Sequence, residues 1–175
     1  LRACESLKRS GVDGIVLCAN TAHMYADQLQ ATIQLPIIHI GEETAKAVQK
    51  QGFKKAGLLG TKFTMEMDFY KDKLAAYGLE VLIPRQQETR DYIQQTVKDE
   101  LGVGYINPDT KQQYISIVND LLQRGAECII LGCTEIPLLI SQDDFTIPVF
   151  DTTKIHSEAI VAFMLSGEFE IRNNK

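Results

Sequence analysis

A ten-residue pattern occurs twice in this chain, at positions 11–20 and 125–134. The two stretches read GVDGIVLCAN and GAECIILGCT and align without a gap, with Gly, Ile and Leu recurring identically. Each copy contains a short apolar run rich in branched residues, which is typical of a strand buried on both faces of a parallel sheet. In each case a further strand pattern and helical patterns follow. The duplicated unit predicts two similar lobes whose strand ends face one another across a cleft.

The second copy places a cysteine at the end of its buried strand. Gly132 allows the backbone to turn sharply after the strand, and Thr134 and Glu135 are residues typical of a helix start. Cys133 would then lie beside free helix N–H groups, which lower the pKa of a thiol and also bind anions. The pattern therefore predicts a reactive thiol beside a bound carboxylate.

The two copies differ at the position of that thiol. The gapless alignment matches Cys133 with Ala19. One side of the predicted cleft would therefore present a thiol, and the other side would present a methyl group.

Strands alternate with helices along the chain, which predicts an α/β fold with a parallel sheet and right-handed crossovers. We expect residues 40–149 to form the second lobe, and residues 1–39 and 150–175 to form the first. Two short strands are few for an independent core, so we expect the first lobe to lack a leading strand at its N-terminus. Strands are predicted at 14–18, 37–40, 56–59, 79–83, 128–131 and 147–150. Helices are predicted at 1–10, 22–33, 42–50, 63–77, about 93–101, 109–124 and 152–165, before a mostly polar tail.

The composition excludes several classes of partner. A net charge of −5 over 175 residues, without basic clusters, argues against nucleic acid. No apolar run approaches the roughly 20 residues that cross a bilayer, so we expect no membrane partner. The four cysteines fit reduced thiols in the cytoplasm better than disulfides, and they lack the spacing of metal ligands. We therefore expect a cytoplasmic protein that binds a small molecule and no metal.

Two motifs carry a resemblance to a known family, namely CANTAH at 18–23 and LGCTEI at 131–136. They are supported by LLGT at 58–61, TME at 64–66, PVFDT at 148–152 and IH at 155–156. Together they resemble the aspartate/glutamate racemase family over essentially the whole chain, and look most like its broad-specificity amino-acid racemase branch. The resemblance implies a cofactor-independent enzyme with two pseudo-symmetric α/β lobes and a site between them. Because dimers are common in that family, it also implies a homodimer.

The resemblance further implies roles for individual residues. Cys133 would be the acid or base that moves the α-proton of a small amino-acid or dicarboxylate substrate. Asn20, Thr21 and Thr134 would hold the α-carboxylate, and Thr61 would line the pocket.

The residue at the opposing base position departs from the family pattern. Family members have Cys or Thr there, whereas Ala19 carries no transferable proton, and racemisation would need a relay through water or another side chain. One-thiol decarboxylases related to the family keep only the counterpart of Cys133. A decarboxylase or lyase acting on a small dicarboxylate is therefore an alternative, and a non-catalytic carboxylate-binding relative is another.

Overall fold

The computed structural model describes residues 1–166, and the rest of the predicted polar tail lies outside the described residues. Its centre is a four-stranded, fully parallel sheet with the strand order β2-β1-β3-β4. The strands are β1 (Lys55–Gly60), β2 (Glu80–Leu82), β3 (Cys128–Gly132) and β4 (Val149–Asp151). The four strands predicted for the second lobe are therefore all present, within one or two residues of their expected ends.

Helices connect and cover these strands. The α-helices within residues 1–166 are α1 (Arg2–Arg9), α2 (Ala26–Ile33), α3 (Ile40–Lys50), α4 (Lys62–Glu66), α5 (Asp68–Ala76), α6 (Gln87–Asp99), α7 (Pro108–Gln123) and α8 (Thr152–Leu165). Short 3₁₀ helices lie at Asn20–Tyr25, Leu101–Val103, Ile136–Leu138 and Gln142–Asp144. No helix of this described part is both long enough and apolar enough to cross a membrane.

Strand β3 is buried along its whole length, as its unbroken apolar pattern predicts. Its side chains alternate between two cores. Ile129 and Leu131 pack with α6 and α7 on one face of the sheet. Cys128 and Ile130 pack with α3 and α5 on the other face. The central strands are thus held between two helical layers, which fixes where their carboxyl ends lie.

The carboxyl ends of β1 and β3 both end in glycine, and neither position has room for a side chain. Gly60 pairs with Gly132 in the parallel register. A Cβ added to Gly60 would lie 2.8 Å from the carbonyl oxygen of Gly132, and one added to Gly132 would lie 3.1 Å from that of Leu59. The turns that follow these two strands can therefore lie side by side at one edge of the sheet.

The region before α3 is less regular than predicted. Full strands at 14–18 and 37–40 are not formed; the two segments share one parallel bridge, Ile15 to Ile37. The bridge is accompanied by a hydrogen bond of 2.9 Å from the Ile15 amide to the Pro36 carbonyl. Within the described residues these segments have no further strand beside them to extend a ladder. A small cluster of buried residues packs around the bridge: Cys4, Ile15, Ala26, Ile33 and Ile37.

The division into lobes stays a prediction. Strand β4 hydrogen-bonds with β3 in the main sheet, and α8, which begins directly after it, packs against α3. The His156 Nε2 of α8 lies 2.7 Å from the carbonyl oxygen of Ile38, which links the last helix to the earlier region.

Several predicted helices differ in detail. The helix predicted at 22–33 is a 3₁₀ turn followed by α2, and the one at 63–77 is broken at Met67, whose ψ of 153° is extended. The helix predicted at 109–124 begins one residue earlier, at Pro108, and its cap is Asn107, whose side chain accepts a hydrogen bond from the Asp109 amide. Pro108 explains the shift, because proline suits the first helical position.

Candidate active site

One cavity, of about 240 Å³, lies at the carboxyl edge of β1 and β3. The turns after these strands form part of its wall, and the 3₁₀ segment that begins at Asn20 forms another part. Every residue that the sequence analysis singled out for the site lines this cavity: Ala19, Asn20, Thr21, Thr61, Cys133 and Thr134. The structure thus brings together residues from three separate stretches of the chain.

Cys133 lies immediately after β3 and is only 4% exposed. Its Sγ donates a hydrogen bond of 2.9 Å to Oε2 of Glu135, which also lines the cavity. The residues between β3 and the 3₁₀ helix at Ile136–Leu138 form a turn, so the predicted α-helix beginning at Thr134 is absent. Pro137 inside that short helix has no N–H for a regular helical hydrogen bond.

The prediction of a low thiol pKa is wrong. Burial and the hydrogen bond to the Glu135 carboxylate raise the pKa of Cys133 to about 12. The backbone amides of Glu135 and Ile136 act in the expected, lowering direction, but they are outweighed. Burial also works to raise the pKa of Glu135, yet the hydrogen bonds from Cys133 and Thr134 prevail and lower it. The pair therefore rests as a neutral thiol beside a carboxylate.

Thr61 is held in place by the helix that it starts. It is the N-cap of α4, and its Oγ1 accepts from the Thr64 amide and lies 3.2 Å from the Thr64 hydroxyl. Thr64 also lines the cavity. This wall of the cavity therefore presents two hydroxyl groups that hydrogen-bond to each other.

Asn20 is anchored across the fold. It is 4% exposed, and its Nδ2 donates to the Thr152 Oγ1 at 3.2 Å. The Thr152 hydroxyl in turn donates to the Leu131 carbonyl oxygen at 2.8 Å. This chain of hydrogen bonds joins the 3₁₀ segment at 20–25 to α8 and β3, and so it fixes Asn20 beside Cys133. The amide oxygen of Asn20 is buried without a hydrogen-bond partner among the described residues.

Ala19 lies at the start of the same 3₁₀ segment in an extended conformation. Its carbonyl oxygen accepts a hydrogen bond of 2.9 Å from the Nδ1 of His23. His23 therefore makes a structural contact that fixes the turn. The adjacent Cys18 is an exposed, free thiol and does not line the cavity.

Three buried histidines, His23, His39 and His156, pack edge to face behind this turn, with ring centroids 4.7 and 5.3 Å apart. Burial lowers the pKa of each of them, that of His39 to about 4. Within residues 1–166 no group of three or more His, Cys, Asp or Glu residues is arranged to hold a metal ion. The cluster is therefore a packed, neutral part of the interior.

Sequence reasoning missed four contributors to the site. Thr64, Val97 and Gly102 line the cavity, and Thr152 anchors Asn20. Thr64 and Thr152 stand inside the quoted motifs, so the signal was present but was not assigned to the site. Val97 lies on an apolar face of α6 and Gly102 in the short segment that follows, and no local pattern distinguishes a wall of a cavity from a wall of the core.

Comparison with known proteins adds an independent line of argument. The family model of Asp/Glu/hydantoin racemases matches residues 1–160. The chain is 30% identical, over 163 residues, to a broad-specificity amino-acid racemase of Bacillus subtilis, covering 91% of this chain and 68% of that protein. It is 32% identical to a glutamate racemase of Sulfurihydrogenibium over 73% of this chain, and it spans about half (48%) of that relative's length.

Solved structures agree with these sequence matches. A proposed Asp/Glu racemase from Yersinia pestis superposes with a TM-score of 0.88 at 40% identity, covering 94% of this chain and 71% of the other. An aspartate racemase homologue from Pyrococcus horikoshii gives 0.82 at 35% identity, covering 93% and 71%. These likenesses confirm the predicted fold class, α/β with a parallel sheet of the Asp/Glu racemase type. The chain belongs to the Asp/Glu/hydantoin racemase family.

Proposed function

We propose that this protein is an amino-acid racemase that works without a cofactor and moves the α-proton through Cys133. The observation that carries the proposal is the contact of 2.9 Å between the Cys133 thiol and the Glu135 carboxylate, inside a cavity lined by hydroxyl and amide groups. Family membership supports the same reaction class. A small zwitterion is the kind of ligand that such a cavity can orient through neutral hydrogen-bonding groups.

The Cys133–Glu135 pair supplies a route for the proton. Cys133 passes its proton to Glu135 and becomes a thiolate, which then removes the hydrogen from the substrate's α-carbon. A water molecule or another side chain then returns a proton to the opposite face of the carbanion, because Ala19 carries none. A bound α-ammonium group near the sulfur favours the thiolate, because an adjacent positive charge stabilises the ionised form of an acid. Thr134 and Thr21 flank the cavity and would hold the α-carboxylate, while Asn20 is positioned by Thr152.

Ala19 supports a second candidate, which is one-sided chemistry. It lines the same cavity with only a methyl group, and the internal repeat matches it with Cys133. A neutral thiol is a competent proton donor. In an α-decarboxylation, the carboxyl group would leave as carbon dioxide, and the resulting carbanion would take the proton of Cys133. Such a reaction needs one acid on one face and no partner at Ala19.

The exchange of the α-hydrogen in deuterated water tests the proposal. The wild type should exchange the α-hydrogen of an amino acid, and Cys133→Ser should reduce the rate by about 10²-fold or more, the usual contribution of a general acid or base. Cys18→Ser is the matched control, because this thiol is exposed and lies outside the cavity, and it should exchange at the wild-type rate. Equal exchange in wild type and Cys133→Ser would remove Cys133 from the mechanism.

Chiral analysis separates the two candidates. Racemisation requires inversion, so loss of enantiomeric excess should accompany exchange. Exchange with full retention, or release of carbon dioxide, would favour the one-sided reaction. Ala19→Cys and Ala19→Thr should then raise the rate of inversion if a second proton carrier is what the site lacks. A stable complex with a carboxylate ligand but no exchange from any amino acid would identify a non-catalytic binding relative.

A further inference from the structure

The short helix α4 carries part of the cavity wall. It spans only Lys62–Glu66 and follows Thr61, which lines the cavity together with Thr64. The extended backbone of Met67 separates α4 from α5. A helix of five residues is marginal by itself, because its first turn fixes several backbone angles for a single hydrogen bond. The position of α4, and of the hydroxyl groups at its start, therefore depends on contacts with the rest of the fold.

Helix α6 contacts both ends of α4. The side-chain oxygen of Gln94 accepts a hydrogen bond of 3.0 Å from the backbone amide of Lys62, the first residue of α4. The Arg90 guanidinium donates a hydrogen bond of 2.8 Å to the carboxylate of Glu66, the last residue of α4. Because Arg90 and Gln94 are four residues apart, they lie on the same face of α6. One face of α6 thus holds α4 at its start and at its end.

The hydrogen bond of Gln94 connects two walls of the cavity. Val97, which lines the cavity, follows Gln94 by three residues and therefore lies on the same face of α6. Lys62, whose amide Gln94 accepts, follows Thr61 directly. The contact between Gln94 and the Lys62 amide therefore joins the wall at Thr61 to the wall at Val97.

The ion pair between Lys62 and Asp91 does not replace this contact. The Lys62 ammonium lies 2.6 Å from the Asp91 carboxylate, and the two side chains are 34% and 53% exposed. An exposed ion pair at the end of a flexible lysine side chain contributes little to the position of the backbone. Gln94 binds the backbone itself, at a helix position where the amide has no acceptor within its own helix. We therefore assign the start of α4 to Gln94.

We propose that Gln94 is a positioning residue of the active site, which binds the Lys62 amide and thereby holds the Thr61 hydroxyl where the ligand meets it. The local contacts of Thr61 are weak by themselves, since its Oγ1 lies 3.5 Å from the Thr64 amide and 3.2 Å from the Thr64 hydroxyl. The start of α4 must therefore be fixed before Thr61 is fixed. The proposal rests on the proposed function, in that the ligand is an amino acid.

Amide hydrogen exchange of the protein without ligand, followed by NMR, tests the structural part of this proposal. Gln94→Met keeps the length of the side chain and removes the acceptor, so the Lys62 and Thr64 amides should exchange at least about tenfold faster than in the wild type. Gln94→Glu keeps an acceptor oxygen and should restore the wild-type rates. Gln95→Met is the matched control, because the neighbouring Gln95 is exposed and binds Asp99 of its own helix, and it should leave both rates unchanged.

Steady-state kinetics of α-hydrogen exchange test the consequence for the ligand. Gln94→Met should raise KM about three- to tenfold, the factor that corresponds to the loss of about one net hydrogen bond. The value of kcat should change by less than about twofold, because Gln94 is not among the described residues that line the cavity. In a variant that already carries Thr61→Val, Gln94→Met should have little further effect, since the two changes remove the same interaction.

The two measurements separate this proposal from the proposed function. If the wild type exchanges the α-hydrogen of no amino acid, the racemase reaction fails, and the amide exchange rates still decide the role of Gln94. Unchanged rates of the Lys62 and Thr64 amides in Gln94→Met, or equal acceleration in Gln95→Met, would overturn the positioning role. An increase in KM that simply adds to that of Thr61→Val would overturn it as well, because Gln94 would then act independently of Thr61.

Discussion

The buried histidine cluster makes stability depend on pH in a way that can be calculated. His39 is 5% exposed, and burial is the main reason why its pKa falls from 6.5 to about 4, with further lowering by His23 and Lys73. Glu42 and Asp27, which bind the Lys73 ammonium, act in the opposite direction. The folded protein therefore binds the proton of His39 less tightly than the unfolded chain does.

The direction in which stability changes with pH follows from that difference in proton affinity. At pH values above 6.5 the imidazole is neutral in both states, and its contribution to stability is fully present. As the pH falls from 6.5 to about 4, the unfolded chain takes up the proton first, so the free energy of unfolding decreases. At about 1.4 kcal/mol per pH unit, the interval corresponds to a loss of about 1.4 kcal/mol by pH 5.5 and about 3 kcal/mol by pH 4.

The variant His39→Asn isolates this contribution. Its side chain can still accept the Gly41 amide, as the His39 Nδ1 does at 3.1 Å at the start of α3, but it does not titrate. Urea unfolding of the wild type and the variant should be measured between pH 7.5 and pH 4. The difference in unfolding free energy between the two proteins should change by about 3 kcal/mol over that range, because other titrating groups are common to both. Parallel pH profiles would refute the reasoning.

Three further predictions concern the site and its supports. Thr152→Val should lower the free energy of unfolding by about 1–3 kcal/mol, because it leaves the buried Asn20 amide without its acceptor. The neighbouring Thr153→Val removes a buried hydroxyl without a partner and should be close to neutral, so equal losses for the two variants in urea unfolding would contradict this account. Gly60→Ala should destabilise by about 1–3 kcal/mol, since its Cβ would lie 2.8 Å from the backbone oxygen of Gly132, and a variant of wild-type stability would show that the strand ends can separate freely. At pH 8, a thiol with a pKa of about 12 is ionised to only about one part in 10⁴, so iodoacetamide should modify Cys133 at least about 10³-fold more slowly than the exposed Cys18. Glu135→Gln should accelerate the modification of Cys133, and comparable rates for the two wild-type thiols in peptide mass mapping would rule out a protected, neutral Cys133.

The sequence by itself determined the periodic features of the fold. The unbroken apolar run at 128–131 specified a strand buried on both sides, and Gly132 with Cys133 specified where that strand ends. The repeat matches positions 11–20 with positions 125–134, and so it pairs Ala19 with Cys133. These features depend on the order of apolar residues and glycines within short stretches of the chain, which the sequence shows directly.

Tertiary structure alone decided the electrostatics and the walls of the site. The backbone amides near Cys133 lower its pKa as the sequence predicts, but burial, which depends on how distant segments pack, and the Glu135 carboxylate outweigh them. Val97 lies on an apolar helix face that looks the same whether it covers core or cavity. The segments at 14–18 and 37–40 have the composition of strands, yet they form only one bridge, because a strand exists only where a neighbour completes its hydrogen bonds.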